Sequence, residues 1–180
     1  MALEALNTGA SIATLLVIAA TAVAAIVQLR HIRRANQLSG LTKTVDILQD
    51  PGIREIVNFV RHDLKVRMED PAFRDGLCER PADRRIHPEL WLCDMYQHVG
   101  SLVRSGLIDE QIYLQTEWYN VALYWDLLRD VVEIARTQNA FLFENFEYLA
   151  ARAQAWAKAH PRGDYPHGAA RLFPLPAQLP

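Results

Sequence analysis

TEWYNVALYWDLLRDVVEIAR, residues 116–136, decides how the chain folds. Its apolar residues Trp118, Val121, Trp125, Leu128, Val132 and Ala135 recur at alternating steps of three and four, while Asp126, Arg129, Asp130, Glu133 and Arg136 gather on the opposite side. That is the period of an amphipathic α-helix of about five to six turns, with one face for a core and one for water.

Working outward, the same period recurs. Downstream, Thr137-Gln138-Asn139 can turn the chain, and a last helix then places Leu142, Phe146, Leu149, Ala153 and Trp156 inward and Glu144, Glu147, Gln154 and Lys158 outward. Upstream, Asp109 is expected to cap a short turn carrying Ile112 and Leu114. His87-Pro88 opens a long helix that ends at Gly106, with Trp91, Met95 and Leu102 on one side and Leu92, Tyr96, Val99 and Val103 on the other. So wide an apolar arc is packed on more than one side. Asp50-Pro51 starts another helix, whose face is Ile53, Ile56, Val57, Val60 and Leu64. Asp70-Pro71 repeats that start signal, but Arg74 to Pro88 has no sustained period and reads as a loop. Nothing alternates with period two. The fold expected is all-α, an antiparallel bundle of about four long helices joined by short connections.

The N-terminal end differs. From Ala5 to Leu29 there is no charged residue, and Arg30, Arg33 and Arg34 follow at once. A 25-residue helix would be roughly 37 Å long against a hydrocarbon core of about 30 Å, so a single-pass transmembrane helix is expected ahead of the bundle. With no Lys or Arg before the run, a cleaved signal peptide is disfavoured. The three arginines predict an N-terminus outside and a cytoplasmic C-terminus at a bacterial inner membrane, with lipid as a partner of the basic flank. The organisation expected is residues 1–38 as anchor and juxtamembrane segment, 39–160 as cytoplasmic helical domain and 161–180 as a disordered tail. Five of the nine prolines fall in those last twenty residues, among them the apolar Leu172, Phe173 and Leu175, which could serve as a docking peptide.

In 180 residues, 51% hydrophobic and 22% charged, the net charge of −2 offers no field for nucleic acid, and the arginines alternate with acids instead of forming a stripe. The two cysteines, Cys78 and Cys93, form no C-x-x-C pair, and Cys93 falls within an apolar pattern as a small buried hydrophobe.

Motifs for catalysis are absent: there is no G-x-S-x-G, no phosphate-binding glycine loop and no Glu-x-x-His pair for a di-iron bundle. His62-Asp63 has the form of a metal-ligating dipeptide, but its only upstream histidine is His31. No catalytic, cofactor or metal residue is therefore assigned. Asp94 and His98, four apart on one helix, could form a carboxylate-oriented imidazole. Trp118, Trp125, Arg129 and Arg136 could line a pocket for an anionic small molecule.

The stretch GSLVRSGLID from Gly100 to Asp109, Trp118 and Trp125, Arg136, and ENFEYLAAR from Glu144 to Arg152 carry a resemblance. They resemble a family of small uncharacterised bacterial membrane proteins with one transmembrane helix and a helical domain of unknown function. The resemblance implies bacterial origin and an anchor-plus-bundle layout, and no activity. The function expected is a protein-interaction or scaffolding module at the cytoplasmic membrane face, with a protein partner or a second copy of the chain. The alternative is a membrane-tethered enzyme or small-ligand sensor around Asp94/His98 or Arg129/Arg136. Titratable groups converging in a pocket would favour the second class and an exposed apolar patch the first.

Overall fold

The computed structural model describes residues 15, 17–29, 51–166 and 168–173, and the described elements are all helical. The chain divides into two compact units, residues 1–50 and 51–180.

In the first unit residues 17–29 are helical (α1), and Thr21 returns its hydroxyl to the Val17 carbonyl at 2.7 Å. These residues correct the membrane expectation. No helix among the described residues is long and apolar enough to cross a membrane. The single-pass transmembrane helix, the inner-membrane location and the orientation built on them are accordingly withdrawn. Arg30, Arg33 and Arg34, with His31, lie outside the described residues.

The second unit has its own core. It comprises α2 (Pro51–His62), α3 (Leu64–Arg67), α4 (Pro71–Gly76), α5 (Glu89–Arg104), α6 (Glu110–Arg136) and α7 (Glu144–Ala159). Four of these are long, and α5, α6 and α7 make the main packing, with α2 laid against α5 and α6. Contacts along their length show that α6 and α7 are antiparallel. Trp118, in the first half of α6, stacks on Trp156 late in α7, and Arg136, at the end of α6, meets Glu147 early in α7. The core follows the expected stripes: Val121, Leu128, Val132 and Ala135 from α6, Phe146, Leu149 and Ala153 from α7, and Leu92, Tyr96, Val99 and Val103 from α5 are all buried.

Two boundaries differ from expectation. The turn predicted around Ile112 and Leu114 is the first part of α6, which runs unbroken for 27 residues. Asp109 caps it, accepting from the Ile112 amide at 3.0 Å, and Tyr113, Leu114 and Val121 then continue one buried face. The segment from Arg74 to Pro88 begins within α4, which Asp70 caps through the Ala72 amide at 2.9 Å. Gly106 ends α5 as expected, at φ +71°, and Ile108 is buried just beyond it.

Candidate functional site

The start of α7 lacks a capping side chain of its own, because its N-cap residue is Phe143, held in the left-handed region at φ 59°. Gln97 of α5 supplies the missing acceptor: its Oε1 receives the Asn145 amide at 2.9 Å and the Phe146 amide at 3.1 Å. Gly100, one turn further along α5, lets the two helices touch, since a Cβ there would lie 2.1 Å from the Asn145 carbonyl oxygen. The 137–143 connection is held from both sides. Arg80 donates to the Gln138 carbonyl, and Arg136 Nε donates to the Leu142 carbonyl at 2.8 Å.

Two clefts are present, one of them lined in part by this connection. One, of about 370 Å³, has Leu77, Leu90 and Leu142 in its apolar lining and Arg80, Arg84 and Asp94 among its polar residues. The expected Asp94/His98 pair does not form here. Asp94 instead pairs with Arg84 at 2.9 Å, and His98 is exposed and absent from the lining. Partial burial pushes the Asp94 carboxyl above its usual range against the pull of Arg84.

The second cleft, of about 460 Å³, does unite Trp125, Arg129 and Arg136, together with Val132, Glu133 and Glu147. Trp118 is not part of it. Glu147 already lies 2.8 Å from Arg136, whereas Arg129 is held only by a looser, exposed pair with Asp130 at 3.8 Å. Among the described residues no group of three or more His, Cys, Asp or Glu side chains is placed to hold a metal ion, and His62 and Asp63 are both exposed.

Below the first cleft lies a pair that the sequence reading did not single out. His87 Nδ1 and Glu89 Oε1 are 2.9 Å apart, with side chains 1% and 0% exposed. Their other polar atoms, His87 Nε2 and Glu89 Oε2, have no partner, and Phe73 packs its ring 4.4 Å from the imidazole. Burial raises the Glu89 carboxyl, while His87 opposes the rise. Cys93, one turn on, is fully buried with its thiol pushed far up, so it is no nucleophile.

Trp118 joins a different assembly. Its ring meets Tyr119 edge-on at 5.8 Å and stacks on Trp156 of α7 at 5.7 Å, and Trp156 stacks on His160 at 4.1 Å. The result is a ladder of four rings across the α6–α7 surface. Tyr119 is 60% exposed, and Trp118, Trp156 and His160 are half-buried. Both tryptophans lie on the stripes expected to face inward. The ladder was foreshadowed only by their bulk, because an indole at the edge of a core stripe reaches the surface.

The family described as "Domain of unknown function (DUF4760)" matches residues 15–153. No curated protein and no solved structure matches the chain. The matched span takes in α5, both clefts and the α6 half of the ladder, Trp118 and Tyr119, and it covers well over half of the sequence: the chain belongs to the DUF4760 family, a domain of unknown function.

Proposed function

We propose that the helical unit is a protein-interaction module whose docking face is the ladder Tyr119–Trp118–Trp156–His160. The observation that carries this reading is the continuity of four rings, none of them in the core, on the outer surface of two long helices. Partly open aromatic groups in contact with one another have the composition of binding hot spots, offering large apolar area with polar edges. The clefts support the same direction, because Asp94 is taken up by Arg84 and His98 stands apart, which leaves no convergent acid–base set there. The test is affinity capture with the full chain against Tyr119→Asp, a substitution at an exposed ring. Proteins recovered by the native chain and lost by the variant, with helical content unchanged, support the reading; identical recovery refutes it.

A second reading is favoured by one observation, the sharing of a cleft by Trp125, Arg129 and Arg136. An indole beside a loosely paired, exposed guanidinium suits a planar organic anion. A thermal-shift series with benzoate-type carboxylates and nucleoside monophosphates tests it. Stabilisation lost in Arg129→Ala supports this reading, and no shift with any of them rejects it.

A further inference from the structure

The ladder has a second apolar feature close beside it. Beyond α7 the chain turns through Gly163, whose amide donates to the His160 carbonyl at 2.9 Å, and Asp164 is tied to Gln115 of α6 at 2.7 Å. The segment then folds back on itself. Tyr165 donates its hydroxyl to the Ala170 carbonyl at 2.9 Å, Arg171 lies over the Tyr165 ring at 4.2 Å, and its guanidinium reaches the Arg162 carbonyl at 3.5 Å. Arg171 thereby reaches back to Arg162, two residues beyond the ladder's last ring. Leu172 and Phe173 follow at once, 92% and 82% exposed.

We propose that this face mediates self-association: Leu172 and Phe173 of one copy dock on the Tyr119–Trp118–Trp156 ladder of a second, and the reverse contact forms about a twofold axis. The proposal rests on the ladder being a docking face and names its occupant.

Three observations support a second copy over the chain's own hook. The fold-back contacts fix the segment in its own chain with Leu172 and Phe173 turned to solvent, so they are displayed and not inserted. The hook is anchored next to the ladder, through Asp164 to Gln115 of α6 and through Arg171 to the Arg162 carbonyl two residues beyond His160, which suits one twofold axis that satisfies both contacts and closes the assembly. The area is also adequate. A Phe and a Leu offer on the order of 300 Å², so with an equal area on the ladder two symmetric contacts remove roughly 1,200 Å², the lower edge of stable specific interfaces.

Sedimentation of the full chain over a concentration series reads the outcome. A monomer–dimer equilibrium is expected, and Phe173→Asp and Tyr119→Asp should each raise the dissociation constant at least about tenfold. Mixing those two variants should restore part of the dimer, because the intact hook of one meets the intact ladder of the other; a folding defect gives no such rescue. A chain that stays monomeric, or a dimer indifferent to Phe173→Asp, overturns the proposal. A Tyr119→Asp variant that loses captured proteins while the native chain remains monomeric would preserve the interaction module and remove self-association, so the two failures are distinguishable.

Discussion

His87 and Glu89 are the buried polar side chains among the described residues of the core, and each keeps one unpartnered polar atom. Their energetics follow from burial more than from their attraction, since an ion pair shut away from water gives back in Coulomb energy about what it costs in desolvation. The Glu89 carboxyl is raised above 4.5, so its contribution to stability is fully present below about pH 4.5 and is lost as the pH rises through its folded value. Glu89→Gln keeps a group able to bond the imidazole and removes the charge. The thermal-midpoint difference between variant and native chain should therefore grow in the variant's favour from pH 4.5 towards neutrality, and a pH-independent difference would refute the assignment. His87→Ala leaves the carboxylate buried and alone, and should cost about 3–5 kcal/mol in denaturant unfolding at neutral pH. Glu89→Gln in the same chain should recover part of that loss. At this scale the sequence was partly readable: Cys93 was rightly taken as a buried hydrophobe. The His87–Glu89 contact was not foreseen, because the two residues meet across a helix start where no period applies.

Among the elements, the helices were the most legible part, because each buries one stripe at a single period. What escaped was continuity. The short turn expected around Ile112 and Leu114 is continuous with α6: Gln111, Gln115 and Thr116 lie on its exposed side, while Tyr113, Leu114 and Val121 keep the buried face intact. The junction of α5 with α7 was also invisible, since its cap comes from 48 residues upstream. It yields a paired prediction. Gln97→Ala should cost about 1–2 kcal/mol, as loss of an N-cap does. Gly100→Ala should cost at the upper end of the roughly 1–3 kcal/mol of overpacking, or more, because the obstacle is the Asn145 backbone carbonyl and no side chain can swing aside. Urea unfolding measures both, and a Gly100→Ala variant as stable as the native chain would refute the close crossing.

For the molecule as a whole, composition and hydropathy located the change of character near the N-terminus, and the structure places a unit boundary at residue 50. The physical reading of the first segment is what had to be revised. A charge-free run measures apolarity along the sequence, whereas crossing a bilayer also requires a helix of sufficient length, and no described helix meets both conditions. Legibility of the candidate site was lower for a related reason: a stripe tells which residues face a neighbouring helix, not how far an indole projects beyond it. Trp125, Arg129 and Arg136 line one cleft, whereas Trp118 went to the ladder and His98 to solvent. The distribution of burial carries the remaining prediction. Every buried residue among those described lies between Ile53 and Ala153, while Val17, Ile18, Val23, Ile26, Val27 and Leu29 are each 46–65% exposed. The fragment 51–180 therefore contains every buried residue among those described and should unfold cooperatively on its own. Its thermal midpoint should lie within about 5 °C of the full chain, the shift that roughly 1 kcal/mol produces in a domain of this size. Circular dichroism of both chains measures this. A fragment that is helical but melts without a cooperative transition would refute this.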